Sequence, residues 1–237
     1  KNRLVFLYGP NVNKKLLIVL LLLFPLVVLA ISLFLGRYPK PLFMPISVLA
    51  SDDLAKQLVF NLRLPRLITA ALLGMSLSAA GGVMQMLFRN PLVEPGFLGV
   101  SQGAGFGAAL SILLFSSSPL LIEVNATVFA VLGLVLSYFI ARRIRLGGWV
   151  LRLVLSGIAI SALFSSALGI LKYVADPASK LPEIVFWLMG GLYSVTWVDL
   201  LYILPAVLIG LTIIFLMRWR LNLLSLSDET AFSLGVS

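Results

Sequence analysis

The side chains that most often do chemistry are missing from this chain or sit in the wrong places. It has no histidine and no cysteine. That removes the group best suited to proton transfer near neutral pH, the commonest metal ligand and the thiolate nucleophile. Its acidic residues lie in breaks between apolar runs or at their ends, not at mid-run, where a proton or ion relay would need one. No Walker sequence occurs, and Gly103-x-Gly105-x-Gly107 has the wrong spacing for a dinucleotide turn. The sequence therefore assigns this chain no catalytic residue, no metal ligand and no bound cofactor.

What it does carry is small residues in register and charged hinges. Gly74, Ser78 and Gly82 recur every four positions, as do Gly99, Gly103 and Gly107, and Gly157, Ser161, Ser165 and Gly169. That spacing puts each set on one helix face, where a neighbouring backbone can come close. A seam that also lines a pathway stays open. Arg63 and Arg66 bracket Pro65 ahead of an uncharged run, as interfacial cations or as contacts for a partner. Arg89-Asn90-Pro91-Leu92-Val93-Glu94-Pro95 interrupts the apolar pattern as a charged elbow, although Asn-Pro is also an ordinary turn. Near the end, Ser227 can cap a short helix with Asp228 and Glu229 in its first turn. Ala231 and Leu234 fall on one side of it and Gly235 stops it. On residues alone this segment is equally a linker helix or a docking helix.

Membrane helices must position these features. With 60% hydrophobic residues, 11% charged residues and a mean hydropathy of +1.09, the chain reads as all-α, a polytopic transmembrane helical bundle. The alternating ten-residue segments of a β-barrel are absent. About six spans are expected, near 16–35, 67–88, 94–115, 124–141, 150–171 and 198–217. A polar, proline-bearing segment at 37–60 separates the first two. Residues 183–189 form a short interfacial helix, with Trp187, Tyr193 and Trp197 as interfacial aromatics. With the N-terminus cytoplasmic, eleven basic and three acidic residues fall inside, for a net +8. Seven basic and six acidic residues fall outside, for a net +1. The overall +9 is thus spread over helix ends rather than gathered on one aromatic-interleaved face, which excludes nucleic-acid binding.

Three ordered pieces carry a resemblance: Arg63-Leu64-Pro65-Arg66, then Gly82-Val83-Met84-Gln85, then the run from Arg89-Asn90-Pro91-Leu92 through Gly99-Val100-Ser101-Gln102-Gly103 to Ala108. Together they resemble the permease subunits of bacterial type II ABC importers for ferric siderophores, haem and cobalamin, the FecCD-like family. The resemblance implies a translocation path formed with a second permease copy in the inner membrane. Two ATP-binding cassette subunits would hold ATP and Mg, and a periplasmic or lipid-anchored substrate-binding protein would deliver the cargo. The chain would then be no enzyme itself. Segment 223–236 would be the coupling element, with Leu226, Ser227, Asp228, Glu229, Ala231, Leu234 and Gly235 meeting the ATPase. Arg63 and Arg66 would dock the binding protein. Asn90, Pro91 and Leu92 would narrow the cytoplasmic end of the path, with a second constriction at Val150 and Leu151. Relatives can carry small hydroxyl residues there, whereas this chain has bulky apolar ones.

Family members have about ten spans, and the Gly-x-Ile-x-Phe-x-Gly-Leu-x-x-Pro-His pattern of their second half has no counterpart here. Residues 1–237 therefore read as a single permease domain, C-terminally incomplete and the first part of a ten-span protein. The main rival is a self-sufficient secondary carrier or channel built from the same helices. An intramembrane enzyme fails for want of histidine, cysteine or paired mid-membrane carboxylates.

Overall fold

A computed structural model describes residues 13–39, 42–115, 118–145 and 147–224. Among these residues, five helices are long and apolar enough to cross a membrane, which makes the chain a multi-pass helical membrane protein. Two compact units are distinguished, Lys1–Leu73 with Leu192–Ala206 and Gly74–Gly191 with Val207–Ser237.

In the first unit, α1 (Lys14–Phe34) starts at Asn13, whose side chain accepts from the Lys15 N–H at 3.1 Å. Its apolar side chains are exposed all round, as suits a helix facing lipid or other helices. The segment expected as a polar connection at 37–60 is folded instead. Strand β1 (Leu35–Gly36) pairs antiparallel with β2 (Leu42–Phe43), and α2 (Ile46–Ser51) and α3 (Asp53–Gln57) follow. Met44, Ala55 and Val59 are fully buried there against Leu33, Phe34, Tyr38, Val48 and Leu49. The Tyr38 hydroxyl donates to one oxygen of Asp52, and the other oxygen accepts from the Leu54 N–H at 2.9 Å, capping α3. These two bonds, the tyrosine's first, hold the Asp52 carboxyl below its ordinary range, and the bond to Asp52 raises the Tyr38 hydroxyl above its own.

The next span is longer than expected. The α3 helix, a π-helical turn (Leu58–Arg63) and α4 (Leu64–Phe88) form one helix of 36 residues. At 1.5 Å per residue this is roughly 54 Å, well beyond a ~30 Å hydrocarbon core. The apolar run at 67–88 marks only its membrane part. Pro65 explains the π turn. It has no N–H to give and its ring crowds the preceding turn, so the helix widens and the Leu64 N–H reaches back to the Val59 carbonyl. The Phe60 carbonyl, which Pro65 would otherwise serve in that register, accepts from the Trp197 indole N–H at 2.9 Å.

The second unit is built on α5 (Val100–Leu114), α6 (Pro119–Arg143) and α7 (Trp149–Val174). Phe106, Phe129 and Phe164, one from each helix, meet ring to ring at 5.1, 5.6 and 6.3 Å. The short helix expected at 183–189 is α8 (Lys180–Met189), which buries Ile184 in the same core and ends at Gly190, φ 72°. Helix α9 (Trp197–Leu224) completes the described chain. One expectation is corrected: α5 begins at Val100, not near 94. Pro91 and Pro95 lack N–H groups and Gly99 sits at φ 81°, a left-handed conformation that ends regular helix. The result is a 15-residue helix, shorter than the ~20 residues a span needs.

Candidate functional site

The irregular stretch between α4 and α5 is the most elaborate piece of backbone in the second unit, and each bond in it can be traced. Helix α4 ends in a Schellman arrangement. The Arg89 N–H returns to the Met86 carbonyl at 3.3 Å, and the Asn90 N–H to the Gln85 carbonyl at 3.2 Å. The residue that must turn left-handed is usually glycine, but here it is Arg89 at φ 50°. A non-glycine residue there costs on the order of 1 kcal/mol, and its side chain supplies an offsetting contact. The Arg89 Nε–H donates to the Leu224 carbonyl at 3.3 Å, at the last turn of α9, where a cation suits the helix dipole.

Beyond Arg89 the chain folds on itself. The Gln85 side-chain amide donates to the Pro91 carbonyl at 3.1 Å, and the Leu92 N–H to the Asn90 side-chain oxygen at 3.0 Å. The elbow buries Val93 and Leu98 with Phe88, against Leu153 and Val154 of α7. The buried Ser137 hydroxyl of α6 donates to the Leu98 carbonyl at 2.9 Å. Non-helical backbone is tolerated at membrane depth only where protein or a water-filled cavity satisfies it. In this elbow the Pro91 and Leu98 carbonyls are met by Gln85 of α4 and Ser137 of α6, and the Leu92 N–H by the Asn90 side chain.

Of the residues picked out by sequence, Asn90, Pro91 and Leu92 occupy this elbow. Leu92 is 88% exposed. Val150 and Leu151 are also exposed, in the first turn of α7, and the next turn carries Leu153 and Val154, which pack on the elbow. Chain neighbours of the two sets, Val93 on one side and Leu153 and Val154 on the other, thus meet in one small apolar cluster.

Gly103 and Gly107 of α5 do form a seam. A Cβ on either would run into the backbone carbonyl of Phe129 or of Asn125 on α6. Gly99 is not on that helix face; it is the left-handed residue that precedes α5. The other proposed seams are less uniform. Gly157 meets the backbone of Phe97 and Leu98, whereas Gly74, Gly82 and Gly169 face open space.

Arg63 and Arg66 lie within the long helix rather than flanking it. The Arg63 guanidinium donates to the Leu33 carbonyl at 2.9 Å, in the last turn of α1, and that of Arg66 donates to the Tyr193 carbonyl. Leu226, Ser227, Asp228, Glu229, Ala231, Leu234 and Gly235 fall outside the described residues. The hydrogen bonds of Gln85, Ser137 and Trp197 are not legible in the sequence. Their partners are backbone carbonyls, and nothing in a side chain's own neighbourhood announces which carbonyl will be left free.

A multi-pass helical bundle with an irregular break between two helices and a small-residue seam defines a polytopic α-helical membrane protein. Residues 21–237 match the FecCD transport family, and the chain belongs to it. It is 37% identical to the molybdate import system permease protein MolB of Haemophilus influenzae, over 96% of this chain and 68% of that one. An iron chelatin transport system permease protein of Helicobacter pylori is 42% identical over 76% of this chain and 53% of its own length. The chain therefore spans only about half to two thirds of these relatives. Among solved structures, an inward-facing transporter of the metal-chelate ABC type matches with a TM-score of 0.81 at 37% identity. That match covers 95% of this chain and 69% of the solved one.

Proposed function

We propose that this chain belongs to the permease of an ATP-driven importer of a metal chelate such as a ferric siderophore, haem or cobalamin, working in the inner membrane with its N-terminus cytoplasmic. The path forms with a second permease copy. Two ATP-binding cassette subunits, which hold ATP and Mg, drive it, and a substrate-binding protein loads it. The chain itself performs no chemistry; its two faces respond to the states of its partners. The cargo class rests on the named relatives, one of which imports molybdate, so an oxyanion is the second reading.

The observation that carries the proposal is the tie between Arg89 and the Leu224 carbonyl. It links the elbow to the turn of α9 that leads into 225–237. Nucleotide-driven movement at Leu226, Ser227, Asp228, Glu229, Ala231, Leu234 and Gly235 would reach Asn90, Pro91 and Leu92 by this route, and through the shared cluster the Val150–Leu151 turn. Docking by Arg63 and Arg66 would use the N–H groups that the Leu33 and Tyr193 carbonyls leave over, since each guanidinium has five.

Co-purification in mild detergent tests the proposal, using the complete natural permease and the ATPase encoded beside it. Wild type should hold the ATPase and Glu229→Arg should lose it. If Glu229→Arg retains the ATPase undiminished, segment 223–236 is not the coupling element.

A further inference from the structure

The facing ends of α6 and α7 carry a feature to which the proposed function assigns no role. Arg142 lies over the Tyr138 ring, 5.7 Å from its centroid. Tyr138 meets Trp149 edge to face, with centroids 5.7 Å apart, and Arg152 lies over Trp149, again at 5.7 Å. The result is a ladder of cation, aromatic, aromatic, cation across two helices. Arg152 also donates to the Ile144 carbonyl at 3.1 Å, which fixes its rung. Arg143 and Arg145 stand exposed beside the ladder.

Among the described residues no carboxylate is paired with Arg142, Arg143, Arg145 or Arg152. Between Glu123 and Asp176 the sequence has no aspartate or glutamate, and those two lie toward the opposite ends of α6 and α7. Tyr138 and Trp149 are about two-fifths exposed. Exposed Tyr and Trp at the ends of spanning helices sit at headgroup depth, between hydrocarbon and water. Guanidiniums held at that depth match the two-oxygen face of a phosphate.

We infer that the Arg142–Tyr138–Trp149–Arg152 ladder, with Arg143 and Arg145, is a site for the phosphate headgroup of an anionic phospholipid. Charge complementarity selects the occupant: four guanidiniums with no ion pair among the described residues call for an anion, and the aromatic rungs place that anion at the membrane surface. The headgroup bridges the ends of α6 and α7, and thereby braces the turn of α7 that packs on the elbow. The inference does not depend on the cargo or on an ATPase.

Trp149 reports on the site directly. The complete permease is placed in nanodiscs containing brominated phosphatidylglycerol or brominated phosphatidylcholine. The quenching of Trp149 is isolated as the difference between wild type and Trp149→Phe. The expected result is quenching by the anionic lipid at mole fractions at least about tenfold lower than for the zwitterionic one. That preference should vanish in the triple variant Arg142→Gln/Arg143→Gln/Arg145→Gln, while quenching by phosphatidylcholine stays as in wild type. If the triple variant fails to fold, the single exposed change Arg143→Gln should reduce the preference by about fivefold. Equal quenching by the two lipids, or a preference that survives the substitutions, overturns the proposal. So does a Trp149 that neither lipid quenches, which would mean that protein covers the ladder.

Discussion

The two units differ in what holds their spanning helices together, although arginine-to-carbonyl bonds occur in both. In the first, long polar side chains reach for backbone carbonyls: Arg63 for Leu33, Arg66 for Tyr193 and Trp197 for Phe60. In the second, small residues let backbones touch, with Gly103 and Gly107 against the carbonyls of α6 and buried Ser111 and Ser137 in the same layer. The difference follows from the solvent. Near the membrane surface a chain can be irregular, and each free carbonyl must find a donor. Between lipid-bathed helices no hydrophobic force drives association, so close packing and a few short hydrogen bonds must supply it.

This contrast breaks most severely at the seam. Gly107→Val would drive a branched side chain into the Asn125 carbonyl, at a cost of about 3 kcal/mol. The expected result is loss of the monodisperse species on size exclusion, whereas Gly74→Val, at an open position, should be nearly neutral. If Gly107→Val is tolerated equally well, the backbone contact is not what holds α5 to α6.

Next comes the clamp. Trp197→Phe keeps the ring but leaves the Phe60 carbonyl without its indole donor, which should cost about 1–2 kcal/mol. Denaturant titration in detergent would register that loss. Ser137→Ala frees the Leu98 carbonyl at the elbow and should cost less, about 0.6 kcal/mol, the usual size of such bonds inside membranes.

The smallest effect is a pH dependence confined to the first unit. Because the folded state lowers the pKa of Asp52 and raises that of Tyr38, the Asp52 contribution is complete above about pH 4. It fades as pH falls through the lowered folded value. The Tyr38 contribution is complete below about pH 10 and fades above it. Melting of Tyr38→Phe should be flatter than that of wild type at both edges. Identical pH profiles would dismiss the pair as a stabilising contact.

The spans were legible because lipid imposes them: a run of roughly 20 apolar residues has few other uses. So was a short helix near 183–189, since Gly190-Gly191 cuts it off before it can span. The elbow was legible as a break, through Pro91 and Pro95, but its start and end were not. Where α5 begins depends on Gly99 turning left-handed and on Ser137 waiting for the Leu98 carbonyl. The fold within 37–60 was hidden because its core of Met44, Ala55 and Val59 is too small to set a pattern. The Pro65 π turn needed a donor 137 residues away along the chain. The arginines read as surface contacts turned out to be committed first to carbonyls, a choice that only tertiary structure reveals.

The proposal to be tested is that the complete permease moves solute only under the control of an ATPase. Uptake of a radiolabelled ferric chelate into proteoliposomes tests it most directly, with the complete permease reconstituted with and without its ATPase and binding protein. The account predicts uptake that requires ATP and all partners. Uptake by the permease alone, without nucleotide, would contradict it and make the protein a carrier.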